Sequence, residues 1–339
     1  MFQEAFKYYK ARNPPPSLDN VIDLCSSGLD HRLKIISPNT TRDDQYAGLI
    51  PTKQWHIYEL VDRPGLILIA NPFTKCAQRH WMARSILDYP KHPNRTNLPE
   101  TIIDKYGSYS NDDREHFDWW SVAQSIEDSA ERAKLWKALR WTTLGYHYDW
   151  TNKVYDEAAR SEFPPDLAEL CRHFAESLGF HCFRPEAAIV NYYPTGSTLA
   201  GHTDHSEKNL EAPLFSFSFG QPAIFLIGGP SRDEKPDALL LRSGDVIVMT
   251  RESRLCYHAV PKVFPCRESS LQRWAEPEGE DAAGLATEEV PPVANASIRS
   301  EYHRNRYWRS TGNGFADYIS NSRININIRQ VLNEGENHL

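Results

Sequence analysis

The alternation of polar and apolar residues is strongest in Arg323-Ile-Asn325-Ile-Asn327-Ile-Arg329. A period of two held through this run predicts a β-strand with Arg, Asn, Asn and Arg on one face and three Ile on the other. Phe215-Ser-Phe217-Ser-Phe219 alternates in the same way, and Gly65–Ala70 is apolar enough for a buried strand. Helical spacing dominates earlier. Phe2, Phe6 and Tyr9 fall on one side of a short amphipathic helix ended by Asn13-Pro-Pro-Pro16. Docking on the core is its expected role, with a mitochondrial presequence as the alternative. Residues 75–89 and Ser121–Arg140 read as helices. Pro164-Pro165-Asp166 starts another, with Leu167, Leu170, Cys171, Phe174 and Leu178 on one face and Gly179 as its stop.

From Ala187 the pattern turns to short strands, at 187–193, 199–204, 214–219, 223–227, 238–242, 245–250, 256–261 and 323–331. Eight such strands after several helices predict an α+β chain: a double-stranded β-helix (jelly roll) core backed by helices. The expected organisation is an N-terminal extension over 1–54 with little strand character, a helix-rich support region over 55–186, and the strand core over 187–335. An acidic insertion rich in Pro, Glu and Ala interrupts that core at 265–300.

Composition narrows the class. A chain of 339 residues with 40% hydrophobic and 12% aromatic content can build one large domain with an appendage, or two small ones. No apolar run approaches the length of about 18 residues that a membrane helix needs, so no membrane partner is expected. The six Cys (25, 76, 171, 182, 256, 266) form no Cys-x-x-Cys, which argues against a zinc ribbon or disulfide scaffold and for a reducing intracellular compartment. A net charge of −7 excludes a generally basic nucleic-acid coat, so any such binding needs a local patch. Two patches qualify: His303-Arg304-Asn-Arg306-Tyr307-Trp308-Arg309, and Arg132, Lys134, Lys137 and Arg140. The first can equally tether the acidic insertion.

The candidate chemistry lies in Asn191-Tyr-Tyr193-Pro-Thr-Gly-Ser-Thr-Leu-Ala-Gly-His202-Thr-Asp204. Residues two apart on a strand share a face, so His202 and Asp204 can take adjacent positions on one metal ion. This composition predicts about 1.7 His-x-acid pairs by chance, and the chain has four: His116/Asp118, His147/Asp149, His202/Asp204 and His205/Glu207. Only His202 follows a Pro-Thr-Gly turn and precedes the Phe215 alternation. His258, after two apolar stretches, is the best third ligand, although a lone apolar-strand His is more often a core residue. Two His and one carboxylate form the face that leaves sites open on non-haem Fe(II), whereas structural zinc sites are closed by four ligands. Arg323 and Arg329 carry no nearby acid in the sequence. They can be solvated strand charges, but two Arg lining one groove suit a small dicarboxylate.

The order Asn-x-Tyr, His-x-Asp, distant His and Arg-x-Asn-x-x-x-Arg resembles the AlkB family of Fe(II)/2-oxoglutarate nucleic-acid dioxygenases. Leu139-Arg-Trp141-Thr-Thr-Leu-Gly-Tyr146-His-Tyr148, Phe217-Ser-Phe-Gly-Gln-Pro-Ala-Ile-Phe225, Ser243-Gly-Asp245 and Ser253-Arg-Leu-Cys-Tyr-His258 extend the likeness over roughly residues 55–335. The N-terminal segment and the Gly-Tyr-His-Tyr phrase look most like the AlkB homologue 1 branch. The resemblance implies that His202, Asp204 and His258 hold iron. It implies that Asn191, Tyr193, Arg323, Asn325 and Arg329 serve 2-oxoglutarate, with Arg323 on its distal carboxylate and Arg329 near Asp204. Trp141, Tyr146 and Tyr148 would contact substrate, from within a region that also serves nucleotide recognition. The implied reaction uses O2, yields succinate and CO2, and hydroxylates a methyl group on a nucleobase such as N1-methyladenine, N6-methyladenine or methylcytosine, in tRNA and/or DNA. An N-methyl then leaves as formaldehyde. The implied enzyme is a monomer of the nucleus and/or cytoplasm, with the mitochondrion open. The alternatives are the same chemistry on a protein such as a histone, or a non-catalytic jelly-roll binding module. Two positions depart from the family: Asn327 where many members have Thr, and Ser206 where bacterial members have an acid.

Overall fold

The computed structural model describes residues 1–39, 46–106, 117–265 and 314–339. The first part of the chain runs α1 (Phe2–Lys10), β1 (Ile22–Asp23), β2 (Leu33–Ile36), β3 (His56–Leu60), β4 (Leu66–Ala70), α2 (Lys75–Leu87) and β5 (Arg95–Thr96). Then come α3 (Glu100–Tyr106), α4 (Trp119–Ser125), α5 (Ser129–Ala138), β6 (Trp141–Asp149), β7 (Val154–Arg160) and α6 (Pro165–Ser177). The rest comprises β8 (Ala187–Pro194), β9 (Leu199–His202), β10 (Leu214–Gly220), β11 (Ala223–Ile227), β12 (Asp237–Leu241), β13 (Val246–Met249), β14 (His258–Val263), α7 (Gly314–Ser320) and β15 (Ser322–Arg329).

The strands form a small sheet in the order β1-β12-β11-β14-β9 and a large one in the order β2-β3-β4-β13-β10-β15-β8-β6-β5, with β7 on β6. The pleat decides what lies between and behind them. Ile324, Ile326 and Ile328 of β15 join Phe215, Phe217 and Phe219 of β10 in the core shared with Trp81 of α2, Trp119 and Trp120 of α4, and Phe174 of α6. The alternate residues turn the other way, where Tyr193, Leu214, Ile247 and Met249 meet Phe225, Leu239, Leu241 and Val260 of the small sheet. The layers are therefore helix, small sheet, large sheet, helices. The α+β jelly roll backed by helices is the observed architecture.

Helix α1 covers the outer face of the small sheet through Phe2, Phe6 and Tyr9, packed with Ile224, Leu226 and Ala259. Phe2 lies so close to Gly201 and Gly228 that a Cβ on either would meet its ring at 2.8 Å. Only glycine at these positions lets the ring approach the backbone.

Several expectations need correction. The N-terminal extension over 1–54, expected to have little strand character, contributes β1, which pairs with β12, and β2, which pairs with β3. The single helix expected over Ser121–Arg140 is two, because Asp128 turns its carboxylate to the Glu131 N–H at 2.8 Å and starts α5 anew. Arg140 consequently lies beyond α5, and Lys134 pairs with Glu131 at 3.3 Å. The support region 55–186 also contributes β3, β4 and β5–β7. Gly145 allows β6 to pass the Glu186 carbonyl, with φ at +71°. The segment 303–309, the acidic insertion beyond Pro265 and His116 lie outside the described residues. Among the described residues no helix is long and apolar enough to cross a membrane.

Because Phe2 is 2% exposed, Phe2→Ala is expected to lower unfolding free energy by about 3 kcal/mol. Urea denaturation measures this directly. An unchanged midpoint would mean that α1 contributes nothing to the fold.

Candidate active site

Strands β14 and β9 are antiparallel neighbours, and their register sets His258 directly opposite His202. The imidazole centroids stand 4.3 Å apart. His202 Nδ1 lies 2.9 Å from the Ala200 carbonyl and His258 Nδ1 lies 3.1 Å from the Cys256 carbonyl. A carbonyl only accepts, so both Nδ1 atoms carry the proton and both Nε2 lone pairs are left for a metal. Each Nε2 is 3.9 Å from the Asp204 carboxylate. The three donor atoms all lie within 4.8 Å of one another. Burial pushes the His258 imidazole down to about 4, which keeps it neutral, as a ligand must be.

Asp204 does not share a strand with His202 as the spacing suggested. β9 ends at His202 and Asp204 sits on an irregular loop. Its Oδ2 accepts from Arg329 Nη2 at 2.7 Å. Burial raises the Asp204 carboxyl, but Arg329, His258 and His202 outweigh it and hold it well below the usual range. Arg329 in turn pairs with Glu207 at 3.2 Å, and Glu207 pairs with Arg254 at 2.9 Å. The Tyr155 hydroxyl donates to the same carboxylate at 2.9 Å.

The inward face of β15 continues the site. Arg323 stands opposite Tyr193, and Asn325 opposite Asn191, across the β15–β8 pair. Arg323 is 2% exposed. Its Nη2 donates to Ser218 Oγ at 2.7 Å and its Nη1 to the Gln221 carbonyl at 3.2 Å, while Nε has no hydrogen-bond partner. No carboxylate lies within ion-pair distance of it among the described residues, and burial pulls its pKa down to about 10. A buried guanidinium so placed favours an anionic ligand. Burial also pushes the Tyr193 hydroxyl up to about 12, so it remains a neutral donor. Asn325 donates to Ser216 Oγ at 2.9 Å and to the Phe217 carbonyl at 3.0 Å, which makes it a brace for β10.

One cavity of about 440 Å³ is lined by the two His, Asp204, Asn191, Tyr193, Arg323, Asn325, Asn327 and Arg329. The donor set suits Fe(II), with two imidazoles and one carboxylate on one side only. Arg323 suits a distal carboxylate beside it. Among its exposed lining residues, Trp150 and Lys153 mark the mouth, with the half-buried Tyr148 and Tyr155 on the wall beside them. Trp141 reaches this rim through Trp150, their ring centroids 4.0 Å apart.

Tyr146 is not brought to the cavity. It is 1% exposed and packs with Ala187, Val331 and Leu332. Its hydroxyl donates to Glu157 at 2.8 Å, so its place is a structural one behind the rim. Ser206, one of the two positions that depart from the family pattern, hydrogen-bonds the Tyr148 hydroxyl at 2.9 Å. Sequence reasoning missed Trp150, Tyr155 and Arg254, and met Glu207 only as one of four His-x-acid pairs. Arg254 lay inside a quoted phrase. Trp150 carried no signal, since only the β6–β7 hairpin brings it to the mouth.

A jelly roll that places two His and one Asp beside a buried, anion-seeking Arg is the layout of a non-haem iron, carboxylate-dependent oxygenase. The model of the 2OG-Fe(II) oxygenase superfamily matches residues 65–329. The chain is 36% identical over 352 residues to the mouse protein named nucleic acid dioxygenase ALKBH1, covering 99% of this chain and 85% of that one. It is 36% identical over 310 residues to the tRNA demethylase abh1 of Schizosaccharomyces pombe (88% and 89% covered). It is 34% identical over 296 residues to the DNA N(6)-methyladenine demethylase ALKBH1A of Arabidopsis thaliana (81% and 78% covered). The chain belongs to the 2OG-Fe(II) oxygenase superfamily, in the AlkB homologue 1 branch. Its co-substrates are accordingly 2-oxoglutarate and O2, with Fe(II) as the metal.

His202→Ala is expected to abolish Co(II) binding in a calorimetric titration while leaving the metal-free melting temperature nearly unchanged, because the side chain is 36% exposed. Wild-type affinity in this variant would remove His202 from the metal face. Arg323→Leu should weaken 2-oxoglutarate by about 2–3 kcal/mol, the scale of a lost charge-assisted contact. Equilibrium titration of the metal-loaded protein is the check, and an unchanged Kd would place the distal carboxylate elsewhere.

Proposed function

We propose that this protein oxidatively demethylates or hydroxylates methylated nucleobases in tRNA and/or DNA. The carrying observation is a single cavity that joins a two-His-one-Asp face, an unpaired buried Arg323 and an aromatic rim. The names of its relatives, which include a nucleic acid dioxygenase and a tRNA demethylase, support the same substrate class.

Fe(II) with 2-oxoglutarate and O2 supplies the oxidising power that puts an oxygen atom into a methyl C–H bond, with succinate and CO2 as co-products. The protein's own part is binding and orientation. His202, Asp204 and His258 would hold the metal. Arg329 occupies one oxygen of Asp204 and thereby fixes the carboxylate's rotation. Arg323, with the neutral Tyr193 hydroxyl and the Asn191 amide beside it, would hold the carboxylates of 2-oxoglutarate. Tyr148 and Trp150 frame the entrance, where a base taken out of its stack can lie against an indole face. Trp150 is 42% exposed, so its ring is accessible to a base. Lys153, Lys137 and Arg140 are cations available to the phosphate backbone in an otherwise acidic protein. None of the described cysteines forms a disulfide, which fits a reducing intracellular compartment, nuclear, cytoplasmic or mitochondrial.

Methylated RNA or DNA oligonucleotides should stimulate succinate formation, with formaldehyde released in equal amount from N-methyl bases. Stimulation by a methylated histone peptide and not by either nucleic acid would favour the protein-directed alternative. Trp150→Ala should weaken single-stranded oligonucleotide binding by about 1–3 kcal/mol with little change in melting temperature. Trp141→Ala discriminates further. If it melts early yet binds nucleic acid normally, Trp141 only supports Trp150.

A further inference from the structure

Asp204 has to be placed accurately, yet it stands on a stretch from Thr203 to Pro213 that contains neither helix nor strand. Its side chain is fixed by Arg329. Its backbone is fixed by another residue. Arg254 lies within a turn of 3-10 helix (Arg251–Leu255) that ends two residues before His258 and β14. Its guanidinium is 2% exposed, and all three of its nitrogens donate into the Asp204 stretch. Nη1 reaches the Asp204 carbonyl at 2.7 Å, Nη2 the Glu207 carboxylate at 2.9 Å, and Nε the Ala212 carbonyl at 3.2 Å.

We infer that Arg254 is a positioning residue for the metal carboxylate, pinning the loop that carries Asp204 to the segment that carries His258. The inference rests on the assignment of His202, Asp204 and His258 as the metal face. The three contacts lie near both ends and the middle of the loop, so one rigid planar group ties Asp204, Glu207 and Ala212 together, while Lys208 and Asn209 are held separately by backbone bonds to Val331. Glu207 makes the arrangement electrically possible. It accepts from Arg254 and pairs with Arg329, so two buried cations are balanced by Glu207 and Asp204. The placement of Asp204 relative to His258 is thereby governed by a residue that is not itself one of the candidate donors.

The test uses the full-length protein and Co(II) as a spectroscopic probe of the metal face. Arg254→Lys keeps the charge, but an ammonium cannot span three acceptors arranged for a planar fork. It should fold, bind Co(II) roughly 10–100-fold more weakly, and show an altered Co(II) visible spectrum, the scale seen when partners of metal ligands are changed. Glu207→Gln, which preserves shape and removes the charge between the two Arg, should move affinity and spectrum in the same direction. A folded Arg254→Lys protein with wild-type Co(II) affinity and spectrum overturns the inference. If the Lys variant does not fold, a wild-type spectrum in Glu207→Gln overturns it instead. His202→Ala separates the two levels: if that variant also binds Co(II) normally, the metal face is misassigned, whereas loss there and retention in Arg254→Lys refutes the positioning role alone.

Discussion

Charge compensation between two sheets is the constraint on which this molecule depends. The space between the sheets is walled by Leu, Ile, Met and Phe, where an unpaired ion is costly. Four charged side chains nevertheless sit there in alternating sign: Arg254, Glu207, Arg329 and Asp204. Each inner member is held by a neighbour on either side. Removing any one would expose an uncompensated charge to the same apolar walls, so the set behaves as a unit. Arg323 is the exception, since it bonds backbone carbonyls and a serine hydroxyl and, among the described residues, has no carboxylate within ion-pair distance. That contrast separates a cation neutralised by carboxylates of the fold from one that is not.

The pleat converts this electrostatic arrangement into a place. In β15 the even-numbered Ile residues anchor the strand to α2, α6 and α7, and the odd-numbered polar residues are thereby forced toward the small sheet. β8 repeats the device, with Val190 and Tyr192 behind and Asn191 and Tyr193 in front. β10 does the same with its Phe and Ser residues. A one-residue slip would send the entire polar set into the helix-backed core, so the Ile and Phe rows protect the register of the site. The small sheet is less secure. β9 is its edge strand and carries His202, and only β14 pairs with it. Helix α1 supplies the missing support, with Phe2 seated over the glycine that precedes His202.

Much of this was legible in the chain. The β15 alternation foretold both faces of the strand, and the order of the His, Asp and Arg motifs foretold which residues would converge. The start of α6 at Pro165 and its end before Gly179 followed from proline and glycine chemistry, which acts within a few residues. Other features escaped for a shared reason. Asp128 interrupts a helical pattern through one carboxylate, and periodicity averages over such a local event. β1 and β2 are too short to announce themselves and exist because strands distant in sequence offer them an edge.

The sequence by itself determined the class of fold through period-two alternation, a property of neighbouring residues, and the order of its motifs singled out His202, Asp204, His258 and Arg323 as the residues that would converge. Tertiary structure alone decided how those donors are held. Asp204 reaches the site on a loop rather than a strand, and the residues that fix that loop come from Arg254, Glu207 and Arg329, brought together by three separate segments. It also separated Trp150, which stands at the cavity mouth, from Tyr146, which is packed behind it. Both are aromatic residues on or beside the same strand. Which side of a bulged strand a ring takes depends on pairing with β7 and on the cores it meets, and neither is written in the residues around it.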